Sequence, residues 1–221
     1  MQMNRNTHII IFDFDGTLAD TRQIIVNTQQ QTMRKLHLPV PTEQESMATI
    51  GLKLRNCFLA INPSLTEEQA DECVTTYQQL FRQNKHLYPP VLFPHVRETL
   101  EALKRQGFIL TIASSRSSAS LHELVNELGI EENIDFIVGA DEVLNPKPDA
   151  EPVLITLKKM ECRADEALVV GDMPVDILMG RNAGARTCAV TYGNATSEQL
   201  VEARADIVIN DMQELLQFAC G

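Results

Sequence analysis

The first apolar run in this chain, Ile9-Ile10-Ile11-Phe12, is short, unbroken and followed at once by polar residues. Similar runs return further on, at Phe108 to Ala113, Phe136 to Val138, Ala167 to Val170, Thr187 to Val190 and Asp206 to Ile209. Stretches with helical patterning lie between them, one ending at Leu128, one near Glu151 to Met160 and one near Pro174 to Ala183. Strands and helices that alternate in this way predict an α/β fold, with a mainly parallel, Rossmann-like sheet covered by helices. Gly107, Gly129 and Gly184 fall at or just past expected helix ends, where a left-handed cap is wanted.

Between Thr17 and about Tyr88 the alternation is absent. The stretch from Asp20 to Leu36 has the length of a helix, and Thr42-x-x-Glu45 and Thr66-x-x-Gln69 have capping-box spacing, so two more helices are expected to begin there. We read residues 19–90 as a helical insert placed after the first strand, within a discontinuous core of residues 1–18 and 91–221. Pro89-Pro90 makes a stiff return linker to a core helix at Pro94 to Lys104.

Parallel strands open their carboxyl ends on one sheet edge, and ligands of open α/β sheets bind there. The residues at those ends are polar. The first strand carries Asp13 and Asp15, the second Ser114 and Ser115 followed by Arg116, and a later one Gly171-Asp172 with Asp176 a helical turn further on. The loop Asn145-Pro146-Lys147-Pro148 adds a lysine. Ionised groups at a buried strand tip are costly unless something positive meets them. Carboxylates at this density repel one another without a divalent cation, and oxygen ligands with no cysteine or histidine among them suit magnesium. One carboxylate can then attack phosphorus, forming an aspartyl-phosphate, while a second moves the proton of the leaving oxygen. Ser114 and the backbone N–H groups of the following helix start are suited to hold phosphate oxygens, and Lys147 to balance their charge.

Composition narrows the class of partner. The chain has 221 residues, 44% hydrophobic and 22% charged, which is ordinary for a globular protein able to bury a substantial core. A formal net charge of -11 argues against nucleic acid or anionic membrane as a partner, but not against a small phosphorylated substrate met by local cations. Cys57, Cys73, Cys162, Cys188 and Cys220 are scattered, with no C-x-x-C pair, and read as reduced thiols. There is no signal-peptide pattern and no apolar run of membrane-spanning length, so a cytoplasmic protein is expected, as a monomer or small homo-oligomer.

Asp13-Phe14-Asp15-Gly16-Thr17, Ser114, Lys147, and Gly171-Asp172 with Asp176 stand in the order of the four motifs of the haloacid dehalogenase superfamily. The chain resembles its phosphoglycolate phosphatase-like branch. The resemblance implies Asp13 as nucleophile, and Asp15 as general acid and base that also ligates the metal through its backbone carbonyl. It further implies Mg²⁺ bound by Asp13 and Asp172, with Asp176 holding a metal water or the ion, and phosphate held by Ser114, with Ser115 beside it, and by Lys147. Residues 19–90 match the helical cap of this branch, which closes over the substrate on hinges near Gly16 to Asp20 and Tyr88 to Pro90. In that cap, Lys53 and Arg55 of Gly51-Leu52-Lys53-Leu54-Arg55 are candidates to contact an anionic group of the substrate, or else lie on a solvated helix face.

Asp15 disfavours dehalogenation, because haloacid dehalogenases proper lack an acid at that place. Hydrolysis of a small phosphate monoester ranks first, with phosphoglycolate the leading named substrate, ahead of inorganic pyrophosphate hydrolysis and a β-phosphoglucomutase-like phosphomutase. A non-catalytic, phosphate-sensing scaffold on the same fold would be expected to lack at least one of Asp13, Asp15, Lys147 and Asp172, and none is missing. Arg116 is read either as a phosphate contact or as surface, and no role falls to His86, His95 or His122.

Overall fold

The computed structural model describes residues 7–219; Cys220 therefore lies outside the described residues. Eight strands and ten α-helices are described: β1 (Ile9–Phe12), β2 (Ala19–Asp20), α1 (Arg22–Lys35), α2 (Glu43–Met47), α3 (Leu54–Ile61), α4 (Glu67–Asn84), β3 (Val91–Leu92), α5 (Val96–Arg105), β4 (Ile109–Ala113), α6 (Ser118–Glu127), β5 (Phe136–Val138), α7 (Glu151–Met160), β6 (Ala167–Gly171), α8 (Pro174–Asn182), β7 (Arg186–Val190), α9 (Ser197–Glu202), β8 (Ile207–Ile209) and α10 (Leu215–Ala219). Six of the strands form one sheet in the order β5-β4-β1-β6-β7-β8, and every pairing in it is parallel.

All four residues of β1 are buried, because both faces of the sheet are covered. Successive side chains of a strand point to opposite faces. Ile10 and Phe12 accordingly pack with Leu100 and Leu103 of α5 and Leu121 and Leu124 of α6, while Ile9 and Ile11 pack with Val153 and Leu157 of α7 and Met179 of α8. The chain leaves β1 for β4 on one side and later crosses back to β6 on the other, so the order of strands reverses next to β1. Such a switch opens a crevice beyond the strand ends, which makes the tip of β1 the natural ligand position.

Helices α1 to α4 pack around a separate cluster that includes Ile24, Met33, Phe58, Tyr77 and Phe81. Thr42 and Thr66 each accept from the backbone N–H three residues on and receive the reciprocal carboxylate or amide oxygen, so both capping boxes read from the sequence are present. The chain enters and leaves this unit through a two-stranded antiparallel ribbon, β2 with β3, that the sequence pattern did not reveal. Two-residue strands carry no measurable period. Helix α3 has no capping signal in the sequence; its first residues, Leu54 and Arg55, belong to the stretch read either as a substrate contact or as a solvated helix face, and they lie on a helix. No helix among the described residues is long and apolar enough to cross a membrane.

Candidate active site

The ladder of the sheet extends one residue past β1, with the Asp13 N–H donating to the Val170 carbonyl at 2.8 Å. This fixes Asp13 at the rim of the sheet, only 4% exposed. The chain then turns sharply: the N–H groups of Leu18 and Ala19 both donate to the Phe14 carbonyl at 3.0 Å, and Gly16 takes a φ of 89°. A side chain at Gly16 is excluded twice over, since its Cβ would lie 2.2 Å from Asp172 Oδ2 and a positive φ strains any L residue.

Asp172 follows β6 and is fully buried. Its Oδ1 accepts from Thr17 Oγ1 at 3.2 Å, and its Oδ2 from Asn194 N at 2.7 Å and Nδ2 at 2.9 Å. Among the described residues it has no cationic partner. Asp176 sits in the first turn of α8, where its Oδ2 accepts from the Met173 N–H at 3.0 Å. Lys147 comes from the loop between β5 and α7. That loop is pinned by Glu151 at the start of α7, whose carboxylate accepts from the N–H groups of Leu144 and Asn145, both at 2.8 Å. Lys147 Nζ then donates to Asp13 Oδ1 at 2.5 Å and to Asp176 Oδ1 at 2.6 Å.

Oxygens of Asp13, Asp172 and Asp176 lie within 4.8 Å of one another. Three buried carboxylates therefore face a single ammonium. Burial pushes Asp13 up to about 7, reinforced by Asp176 and Asp15 and opposed by the Lys147 charge. Burial also drives Asp172 well above the usual carboxylate range, with Asp176 and then Asp13 adding repulsion. Lys147 moves up as well, because Asp13 and Asp176 together outweigh the burial that would lower it. The cluster is short of positive charge, and its donors are all hard oxygens. Both features fit a divalent cation such as magnesium, and the cluster could hold a metal ion.

Asp15 points elsewhere. Its side chain accepts from Thr21 Oγ1 at 2.5 Å and from Arg116 Nε at 2.6 Å, outside the three-carboxylate cluster. Ser114 is 6% exposed, with its N–H on the Val138 carbonyl at 3.0 Å and its hydroxyl accepting from the Arg116 N–H at 3.4 Å. Ser115 donates to the Gly51 carbonyl at 2.6 Å, a contact between sheet edge and helical unit. A cavity of about 640 Å³ lies between the two, with Asp13, Asp15, Ser114 and Ser115 on its sheet side. Lys53 and Arg55 both line its helical side; Arg55 is engaged by Asp71 at 2.8 Å and by Glu67, whereas Lys53 has no ion pair among the described residues.

The structure thus brings Asp13, Lys147, Asp172 and Asp176 together and sets Asp15, Ser114 and Ser115 beside the same cavity. Two supporting roles were not found from sequence, that of Arg116, read as a phosphate contact or surface, and that of Asn194. Arg116 is drawn inward, its guanidinium 4.7 Å from the Phe81 ring centre and paired with Asp15. Asn194 follows β7 and holds Asp172, and its Oδ1 accepts from Arg22 Nε at 3.1 Å. Its place just after a parallel strand was the available signal, the same one that marked Ser114.

A family model described as haloacid dehalogenase-like hydrolase matches residues 10–190. Over 212 residues the chain is 34% identical to a protein of Dickeya dadantii (strain 3937) named as a probable phosphatase, IndB, covering 94% of this chain and 91% of that one. It is 31% identical over 207 residues to pyrophosphatase PpaX of Bacillus velezensis, covering 94% of each. Among solved structures, that of a hydrolase from Pseudomonas syringae superposes with a TM-score of 0.86 at 26% identity, covering 97% of this chain and 98% of the other.

Proposed function

Since the chain belongs to the haloacid dehalogenase-like hydrolase family, and within it to the phosphatases, we propose that it hydrolyses small-molecule phosphate monoesters with magnesium, through an aspartyl-phosphate on Asp13. The observation that carries this reading is the buried set of Asp13, Asp172, Asp176 and Lys147, whose Asp13 lines the cavity between sheet and helical unit. Asp13 Oδ attacks phosphorus, and the bond from phosphorus to the ester oxygen breaks. Asp15 gives its proton to the departing alkoxide. Asp15 then takes a proton from water as that water attacks the phosphorylated Asp13, releasing phosphate and restoring the carboxylate.

Asp13 and Asp172, with the Asp15 carbonyl and Asp176, would hold the magnesium, which supplies positive charge to the transferred phosphoryl group when bound. Lys147 keeps Asp13 aimed and balances the incoming charge, and Ser114 holds a phosphate oxygen. Arg116 and Thr21 hold the Asp15 carboxyl apart from the three-carboxylate cluster, so that the nucleophile and the proton carrier occupy separate positions. Helices α1 to α4, with residues 19–90 around them, act as a cap that excludes water. The four free thiols described are in keeping with a cytoplasmic enzyme.

Purified protein is expected to release phosphate from p-nitrophenyl phosphate with Mg²⁺ and to stop in EDTA. Asp13→Asn should lower turnover by about a thousandfold or more while the protein still folds and melts cooperatively. Near-normal turnover by that variant would remove Asp13 as nucleophile.

A further inference from the structure

Asp172 touches no cation among the described residues, yet two of its hydrogen bonds lead to one. Its Oδ2 accepts from the Asn194 backbone N–H at 2.7 Å and from Asn194 Nδ2 at 2.9 Å. Each of these N–H groups belongs to an amide, one the peptide that joins Gly193 to Asn194 and the other the Asn194 side chain. The oxygens of both amides accept from Arg22, the Gly193 carbonyl from Nη2 at 2.5 Å and Asn194 Oδ1 from Nε at 3.1 Å. Two amides side by side therefore stand between one guanidinium and one carboxylate oxygen. The side-chain amide has only one possible orientation, because a guanidinium only donates and must face Oδ1, which leaves Nδ2 to Asp172.

The close approach depends on missing side chains. A Cβ at Gly193 would lie 2.2 Å from Asp172 Cβ, and one at Gly16 would lie 2.3 Å from Asn194 Nδ2. Arg22 is the first residue of α1, half-buried, and forms no ion pair among the described residues. Its planar fork suits two acceptors held side by side, which the compact ammonium of a lysine does not. Hydrogen bonds in series polarise one another, so the charge of Arg22 strengthens both donors to Asp172. A guanidinium placed directly on the carboxylate would compete with a metal ion for its oxygens. The amides instead orient the group from behind, and Oδ1, which accepts only from Thr17 among the described residues, keeps acceptor capacity to spare.

We propose that Arg22 and Asn194 are positioning residues of the magnesium site: Arg22 holds the two amides, and the amides hold Asp172 facing Asp13 and Asp176. Carboxylates aimed by such outer hydrogen bonds bind a metal more tightly than carboxylates left free to turn. A residue of the helical unit thereby sets the metal affinity of the sheet edge. This assignment rests on the magnesium reading of the three-carboxylate cluster.

Titration calorimetry of Mg²⁺ into the substrate-free protein tests it apart from turnover. Arg22→Met and Asn194→Ala are each expected to weaken Mg²⁺ binding by about tenfold or more. Arg22→Lys, able to hold one oxygen but not both, should weaken it by less. Charge alone predicts the reverse for Arg22→Met, since losing a screened cation slightly favours a divalent ion. The two losses should not add in full, because in Asn194→Ala only the peptide remains for Arg22 to act through. Lys85→Met, which loosens the helical unit far from Asp172, should bind Mg²⁺ as wild type does. Unchanged or tighter binding by Arg22→Met overturns the assignment, as does full additivity with Asn194→Ala or an equal loss in Lys85→Met. If Arg22→Met folds poorly, wild-type affinity in Arg22→Lys or Asn194→Ala overturns it. A wild type that binds no Mg²⁺ would overturn the magnesium reading and this assignment with it. Affinities in the expected order with no hydrolysis of any phosphate ester would overturn the phosphatase reading alone.

Discussion

Asp172 illustrates how a residue suited to hold a cation strains the protein without one. Its folded-state proton affinity is raised, chiefly by burial and then by Asp176 and Asp13. A carboxyl raised on folding binds protons more tightly in the native state, so its contribution to stability falls as pH rises above the ordinary carboxylate range. For Asp13 the corresponding window runs from 3.8 to about 7. Asn at position 172 removes the charge and keeps both contacts, because its Oδ can face the Asn194 donors while its amide donates to Thr17 Oγ1. In EDTA, Asp172→Asn is therefore expected to melt higher than wild type, by about 1–3 kcal/mol in stability, with the gap widening as pH rises from 4 towards 7. Adding Mg²⁺ should raise the melting temperature of wild type alone, and increasingly so above pH 7. Calorimetric melts at several pH values decide this, and a variant less stable than wild type in EDTA at every pH would contradict it.

Asp15 answers to a different measurement. p-Nitrophenolate leaves without a proton, whereas water still needs a base to attack the phosphorylated Asp13. Asp15→Asn should release a burst of nitrophenolate close to one per enzyme, followed by turnover slowed about a hundredfold or more. A steady rate with no burst would place the loss in the first step and count against the assigned role.

At the scale of elements, the caps and turns behave as local chemistry requires. Thr66 starts the 18-residue α4 through its capping box, so Thr66→Ala should cost about 1 kcal/mol. It should lower the melting temperature by about 2–4 °C without altering kcat, since the helix start lies away from the cavity lining. Gly16→Ala is expected to be far worse. At a φ of 89° and 2.2 Å from Asp172, a methyl group should destabilise by about 2 kcal/mol or more and abolish turnover together. A soluble, active Gly16→Ala protein would show that the turn relaxes. The capping boxes, helix α7 and the strands of the sheet were legible because each depends on spacing within a few residues. Helix α3 and the β2 and β3 ribbon were not, since the first is short and follows Gly51, and the second is stabilised by pairing across 70 residues of chain.

At the scale of the molecule, the ribbon is the one covalent passage between the sheet and the helical unit, while Lys85, Phe81 and Ser115 bridge them across the cavity. Lys85→Met removes two ion pairs from that closure and touches no group in the cluster. It is expected to raise KM a fewfold with kcat little changed, because the pairs are partly solvated and individually weak. A fall in kcat with KM unchanged would instead mean that closure limits the chemical step.

From sequence alone, the alternation of apolar runs determined a parallel sheet, and the polar residues after those runs identified Asp13, Asp15, Ser114, Lys147, Asp172 and Asp176 as candidates. That much follows because strand direction and strand ends are local properties. What lies around those ends is not. Arg116 against Asp15 and Phe81, and Asn194 between Arg22 and Asp172, join residues from separate elements. Only the packing of helical unit on sheet decided them, because a buried partner is set by which surfaces meet, and no spacing along the chain encodes that.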